Sequence, residues 1–182
     1  LLVRVGIVLA LLAPLGLAFG LMAGVFVSAG YRINLSASFP PGLYRVSADG
    51  PLVSVCLQGE AARLAGERRY VFGGTCPLRL APLMKRIVAQ EGDDVRVTMD
   101  GVSINGRALP NSAPRAHDSL GRPLPALAAS APYARRLGAD ELWLSSWYNA
   151  GSFDSRYIGP VRVDQVQERL APVWIAQSTR PW

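Results

Sequence analysis

The sequence predicts a mostly β fold, an antiparallel β domain with one short helix, preceded by a single N-terminal transmembrane helix. The first supporting observation is an apolar run over residues 5–29, which contains no charged residue. The second is a succession of short alternating segments joined by Asp100-Gly101 and Asn105-Gly106, dipeptides that favour tight β-hairpins. The third is the length: 182 residues give room for one ordinary domain and an appendage.

The apolar run is long enough to cross a membrane. As a helix it would reach about 38 Å, against about 30 Å for the hydrocarbon core of a bilayer. The alternative is a cleaved signal peptide, because residues 27–29 resemble a small-residue cleavage site, but a signal peptide has a shorter apolar region of about 7 to 15 residues. We therefore expect an anchor over residues 1–30 and a folded domain over residues 31–182.

The elements of the domain follow in order from turn residues and alternation. We expect a short soluble helix over residues 60–69, which are rich in Ala, Leu, Glu and Arg. The expected strands are residues 43–46, 52–56, 83–89, 95–99, 102–104, 107–109, 141–145, 160–163 and 173–175. Between about residues 110 and 140 the chain is rich in Pro, Ala, Ser and Arg, which predicts an inserted cap or loop.

The two cysteines and the charge narrow the class of protein. Cys56 and Cys76 suit a disulfide in a domain outside the cytoplasm, with two buried free thiols as the alternative. They make a poor metal set, because the only histidine is His117, which we interpret as a solvated loop residue. The net charge of +6 comes from scattered arginines, so we expect no nucleic-acid partner, and we expect neither a metal nor a cofactor.

Lys85 is the single lysine of the chain, beside 18 arginines, and it lies in an apolar segment that reads as a strand. A genome that favours arginine codons would explain the scarcity of lysine, but not the position of this one. Burial lowers the pKa of a lysine from about 10.4 towards 7 or 8, where the neutral amine can accept a proton at working pH. The sequence therefore makes Lys85 a candidate general base.

Ser38 is a candidate nucleophile for that base. It precedes the turn Pro40-Pro41-Gly42 and lies within about 30 Å of the end of the apolar run, even if the chain between them is extended. Alone it could be an ordinary turn serine. Paired with Lys85 it would gain the adjacent base that a hydroxyl needs to become a nucleophile, in an arrangement that needs no histidine.

Three segments around these residues resemble, in order, motifs of the type I signal peptidase family. They are residues 38–42 (Ser-Phe-Pro-Pro-Gly), residues 85–95 (Lys-Arg-Ile-Val-Ala-Gln-Glu-Gly-Asp-Asp-Val) and residues 152–161 (Ser-Phe-Asp-Ser-Arg-Tyr-Ile-Gly-Pro-Val). Together they span nearly the whole predicted domain. The resemblance implies a signal-peptidase-like antiparallel β domain.

Within that family the chain is most similar to the conjugative-transfer branch of the TraF type. The shared features are Asn34 with the Ser38 motif, the two cysteines, residues 121–125 (Gly-Arg-Pro-Leu-Pro) and residues 152–156. General leader peptidases carry a Gly-Asp-Asn turn ahead of the last motif, whereas residues 146–151 here are Ser-Trp-Tyr-Asn-Ala-Gly. This departure favours the specialised branch.

The resemblance also implies a role for each matching residue. Ser38 would attack the scissile carbonyl, with Lys85 as the base and then the acid for the leaving amine. Ser36 would contribute to the oxyanion hole, and Ser152 would orient the lysine amine. Asp154 matches an aspartate that the branch requires for activity, and Arg156 its charged partner, although the two could equally form a structural ion pair.

The expected protein is a single-pass serine endopeptidase of the bacterial inner membrane, with its catalytic domain in the periplasm and a Ser/Lys dyad. Its partners would be the lipid bilayer, the conjugation or secretion machinery, and a secreted precursor, above all a conjugative pilin propeptide. The acyl-enzyme could be resolved by water or by the substrate's own amine, and the second route gives a cyclic product. The alternatives are a general leader peptidase and a catalytically silent assembly or binding module of a secretion apparatus.

Overall fold

The computed structural model describes residues 2–36, 38–71, 73–128, 131–146 and 148–176. Residues 129–130 of the predicted cap and residues 177–182 of the predicted domain therefore lie outside the described residues. These ranges contain three α-helices: α1 (Leu2–Ser28), α2 (Gly59–Glu67) and the single turn α3 (Ser155–Ile158). A short 3-10 helix at Pro77–Arg79 follows α2, and another at Val163–Gln165 precedes the last strand.

Eleven strands are assigned in the described part of the chain, and their pairings are antiparallel. They are β1 (Tyr31–Asn34), β2 (Gly42–Val46), β3 (Leu52–Val55), β4 (Leu83–Ala89), β5 (Asp94–Thr98), β6 (Gly101–Ile104), β7 (Arg107–Ala108), β8 (Tyr133–Arg136), β9 (Glu141–Ser145), β10 (Val161–Arg162) and β11 (Val166–Ile175). A seven-stranded sheet has the order β1-β2-β11-β3-β4-β9-β10, and a four-stranded sheet has the order β7-β6-β5-β8. The mostly β, antiparallel fold class is confirmed.

The hairpins of the smaller sheet form where the sequence predicts them. The β6–β7 turn has Asn105 and Gly106 at φ of 50° and 78°, the left-handed conformations that a tight two-residue turn requires. Strands β5 and β6 alternate between buried and more exposed residues, and their buried residues Val95, Val97 and Val102 pack around Trp143 of β9. Trp143 therefore lies in the core that the smaller sheet shares with the larger one.

Three strands differ from the prediction. β1 was not predicted, and it pairs with β2 at the edge of the larger sheet. β8 lies inside the stretch predicted as a cap or loop, and it pairs with β5. β11 is ten residues long rather than three, because it pairs with β2 on one side and with β3 on the other. Pairing with neighbouring strands makes strands of these polar segments, and the partners of β8 and β11 are distant in sequence.

The cysteine prediction is confirmed by a disulfide between Cys56 and Cys76, whose Cα atoms are 5.3 Å apart. The bond joins the end of β3 to the segment that follows α2. It lies in a core that α2 completes with the buried residues Ala62 and Ala65. Neither cysteine is free, so the alternative of two buried thiols is excluded.

Helix α1 covers most of the predicted anchor, and its side chains are described from residue 13 onwards. Apolar side chains such as Leu15, Phe19 and Met22 are exposed along it. Among the residues that the structure describes, no helix meets the length and apolarity needed to cross a membrane. The transmembrane anchor stays a prediction.

Candidate active site

Lys85 lies in the middle of the larger sheet. Its strand, β4, is paired with β3 on one side and β9 on the other, and Lys85 is opposite Val53. Only 1% of the residue is exposed, and its Nζ makes no hydrogen bond with any residue that the structure describes. A buried amine without a partner carries a large desolvation cost in its charged form.

That burial lowers the pKa of Lys85 from 10.5 to about 8. Desolvation is the largest cause, and the positive charge of Arg156 acts in the same direction. The negative charge of Asp154 opposes them by favouring the protonated amine. A substantial fraction of the amine is therefore neutral near pH 8, which is the state a general base needs.

Ser38 lies in the turn between β1 and β2, and side chains hold this turn on both sides. The buried Asn34 donates from Nδ2 to the carbonyl oxygens of Phe39 and Pro40, at 3.1 Å and 3.2 Å. Tyr44 donates from its hydroxyl to the same Pro40 oxygen at 2.7 Å. On the other side, the hydroxyl of Ser146 donates to the carbonyl oxygen of Ser38. The backbone at the candidate nucleophile is thus fixed.

Ser36 is bound to the same asparagine. Its backbone N–H and its hydroxyl both donate to Oδ1 of Asn34, at 3.0 Å and 2.7 Å. In this arrangement the hydroxyl hydrogen is occupied. To stabilise an oxyanion, the hydroxyl of Ser36 must turn from Asn34 towards the substrate.

Asp154 and Arg156 form a fully buried, bidentate ion pair. Nε of Arg156 lies 2.8 Å from Oδ1 of Asp154, and Nη2 lies 2.9 Å from Oδ2. Asp154 also caps α3 by accepting from the backbone N–H of Arg156, and it accepts from that of Ser146 at 3.1 Å. The guanidinium donates further to the carbonyl oxygens of Asn111, Ala113, Ala150 and Ser152. The pair therefore ties the predicted cap to the loop that carries Ser152.

One cavity of about 300 Å³ brings four of the predicted site residues together: Ser36, Ser38, Lys85 and Ser152 line it. Within the described ranges, neither Lys85 Nζ nor the buried Ser152 hydroxyl makes a hydrogen bond, so the hydrogen bonds of a working dyad are not formed. Asp154 and Arg156 do not line the cavity. Asp154 accepts from the backbone N–H of Ser146, Arg156 donates to the carbonyl oxygen of Ser152, and both charges act on the pKa of Lys85.

The predicted cap forms a wall of this cavity, which the sequence interpretation did not foresee. Arg115, His117, Asp118, Ser119 and Leu124 line it, together with three aromatic residues outside the cap. Those are Tyr70, Phe153 and Tyr157, of which Phe153 stacks on Tyr157 with ring centroids 5.9 Å apart. His117, interpreted as a solvated loop residue, is exposed but lies on the cavity wall.

The cap is held in place by a polar cluster around Asp118. Tyr70 donates its hydroxyl to Oδ2 of Asp118 at 2.7 Å, and Arg122 donates from Nε to the same oxygen at 2.7 Å. Oδ1 accepts from the backbone N–H groups of Leu120 and Arg122. These hydrogen bonds lower the pKa of Asp118 against the opposing effect of burial. The sequence indicated the cap by the composition of residues 110–140 and by the resemblance of residues 121–125 to the conjugative-transfer branch, but neither signal placed it beside Ser38 and Lys85.

A second cavity, of about 480 Å³, adjoins the first at Ser36. Ile33 and Asn34 lie on one side of it, and Pro82 and Met84 on the other. A third cavity, of about 640 Å³, lies between α2 and the segment after it and contains none of the predicted site residues. Within the described ranges there is no group of three or more His, Cys, Asp or Glu side chains that could hold a metal ion.

Comparisons with known proteins identify the family of the chain. The family described as "Signal peptidase, peptidase S26" matches residues 4–175. The plasmid transfer protein TraF of Escherichia coli is 39% identical over 176 residues, covering 94% of each chain. The probable conjugal transfer protein TraF of Sinorhizobium fredii (strain NBRC 101917 / NGR234) is 40% identical over 161 residues, covering 81% of each.

A solved structure, a signal peptidase I from Enterococcus faecalis V583, matches 56% of the chain and 91% of its own. The sequence identity is 20% and the TM-score is 0.33, too low for an argument about the fold.

Proposed function

Because the chain belongs to the signal peptidase S26 family, we propose that it is a serine endopeptidase that processes a secreted precursor during conjugation, most specifically a pilin precursor. The relatives named as plasmid or conjugal transfer proteins support a role in conjugation. The observation that carries the chemistry is the single cavity lined by Ser38, Lys85 and Ser152, with the lysine amine buried.

In the proposed mechanism, neutral Lys85 accepts the proton of Ser38 as the serine oxygen bonds to the scissile carbonyl carbon. The protonated lysine then gives that proton to the leaving amine, the C–N bond breaks, and an acyl-enzyme remains. Water attack on the ester releases an acid, whereas attack by the substrate's own amine releases a cyclic product. Either nucleophile passes its proton back through Lys85 and regenerates Ser38.

Ser36 and Ser152 assist these reaction steps without forming covalent bonds to the substrate. The hydroxyl of Ser36 and the backbone N–H of Ser38 stabilise the charge that develops on the carbonyl oxygen. Ser152, whose buried hydroxyl has no other partner, orients the lysine amine. Substrate binding brings these groups into hydrogen-bond reach, because catalytic hydrogen bonds are often long in a free enzyme.

We also propose that α1 anchors the chain in the inner membrane and that the domain faces the periplasm. The disulfide between Cys56 and Cys76 supports a compartment outside the cytoplasm. Exposed apolar side chains on α1, and Ile33 and Leu35 directly after it, support contact with lipid.

The test incubates the full-length chain in lipid nanodiscs with pilin precursors encoded beside it, and weighs the products. We expect the wild type to process the precursor and Ser38→Ala to lose this activity. The control Ser103→Ala, in the smaller sheet, should retain it. A product one water lighter than the hydrolysed form identifies cyclisation. Processing of ordinary exported proteins would favour a general leader peptidase, and no processing of either class would favour a silent assembly module.

A further inference from the structure

Arg115 is the one arginine or lysine that the cap contributes to the wall of the active-site cavity in the described part of the chain. Its backbone is fixed, because its N–H donates to the hydroxyl of Tyr157 at 2.9 Å. Its guanidinium lies along the loop before Ser152: a β-carbon placed on Gly151 would be 3.5 Å from Nη1. The residue is exposed and lines the cavity that a substrate would enter.

No carboxylate compensates this charge. Arg115 forms no ion pair with any described residue. The nearby Asp118 has both oxygens occupied by Tyr70, Arg122 and backbone N–H groups. Asp154 is buried and has both oxygens occupied by Arg156 and Ser146.

Another arginine of the cap, Arg122, shows the contrast. Arg122 donates to Asp118 and to the carbonyl oxygen of Arg68, and it lies over the ring of Tyr70. Its charge is used to fix the cap to the body of the domain. Among the described residues, the side chain of Arg115, seven residues earlier, makes no such contact. Its backbone N–H is bound to Tyr157, and its five side-chain N–H donors are left to the cavity.

We propose that Arg115 is a subsite that binds an acidic side chain of the substrate close to the scissile bond. The proposal rests on the proposed peptidase function. A planar guanidinium binds a carboxylate through two parallel hydrogen bonds, which supplies direction as well as charge. A substrate strand that fills the cavity would cover Arg115 and exclude water from the pair, so the interaction would strengthen on binding.

The test uses a series of internally quenched peptides whose parent has alanine on both sides of the cleavage site. Each peptide of the series carries one Glu, Gln or Lys, and the substituted position runs from four residues before the scissile bond to four after it. The value of kcat/KM is measured for the full-length wild type in detergent micelles, for Arg115→Gln and for Arg115→Glu. Arg107→Glu, on an exposed strand of the smaller sheet, is the matched control for charge.

At one position we expect the wild type to prefer Glu over Gln by about tenfold, the size of a good charge-assisted hydrogen bond. Arg115→Gln should abolish this preference and Arg115→Glu should shift it to Lys, whereas Arg107→Glu should retain it. Cleavage with no preference for Glu, or with a preference that Arg115→Gln leaves intact, overturns the subsite but leaves the peptidase function standing. If the wild type cleaves neither these peptides nor a pilin precursor, both proposals fall.

Discussion

Replacing Lys85 by methionine should abolish activity and, at neutral pH, make the domain more stable. The side chain is buried and its amine has no hydrogen-bond partner, so the protonated form is disfavoured in the folded state. The pKa falls from 10.5 to about 8. At about 1.4 kcal/mol for each pKa unit, this difference corresponds to a cost of about 3 kcal/mol. Methionine fills a similar volume without that cost.

The difference in the free energy of unfolding between Lys85→Met and the wild type depends on pH. Below pH 8 the amine is protonated in both the folded and the unfolded chain, so the wild type bears the full cost. Between pH 8 and 10.5 the unfolded chain binds more protons than the folded one, and the free energy of unfolding rises with pH. Above 10.5 the cost is gone. The advantage of Lys85→Met should therefore be about 3 kcal/mol at pH 7 and should shrink by that amount by pH 10.5.

The assay is urea unfolding followed by tryptophan fluorescence in detergent micelles, since Trp143 is fully buried and reports on the core. Arg96→Met, an exposed position of β5, controls for the loss of a positive charge and should show no such pH dependence. In parallel, kcat/KM of the wild type should rise with pH around a midpoint near 8. A Lys85→Met variant that is less stable at pH 7, or whose difference is the same at both pH values, would refute the reasoning.

Three other changes test the remaining contacts. Asp154→Asn should lower the free energy of unfolding by about 3 to 5 kcal/mol in urea titrations, because it leaves the buried charge of Arg156 without its partner; an effect below about 1 kcal/mol would contradict this. Ser36→Ala should lower kcat by about 10²-fold in the peptide assay with unchanged stability, and unchanged kcat would remove Ser36 from the oxyanion hole. Replacing Cys56 and Cys76 together by serine should cost about 3 kcal/mol in urea, since the disulfide closes a loop with a sequence separation of 20, and equal midpoints with and without it would contradict that value.

Local rules account for the part of the fold that the sequence predicted. The Asn105-Gly106 turn requires left-handed backbone at two successive residues, and few sequences allow it. Strands β5 and β6 alternate because one face packs on Trp143. The strand around Lys85 could be recognised because its neighbours are apolar. In each case the cause lies within a few residues of the element.

The elements that escaped prediction depend on distant partners. The first half of β11 contains Gln167, Glu168 and Arg169, and nothing in that composition indicates a strand. This half is extended because it pairs with β3, while the second half of β11 pairs with β2. The cap wall is similar: Arg115 is placed by the hydroxyl of Tyr157, 42 residues away. The motifs predicted Ser38, Lys85 and Ser152 at one site, but no local pattern could place Arg115 beside them.

The buried ion pair of Asp154 and Arg156 would let the aspartate affect the proposed activity without contact with the substrate. Alone, Asp154 would raise the pKa of Lys85, and Arg156 alone would lower it. As a buried pair their effects on the amine oppose each other, so desolvation remains the largest cause of the shift. The same pair holds the carbonyl oxygens of Ser152 and of the cap residues Asn111 and Ala113. Loss of the carboxylate would therefore disturb the proton affinity of the base, the loop that orients it and the wall of the substrate cavity together.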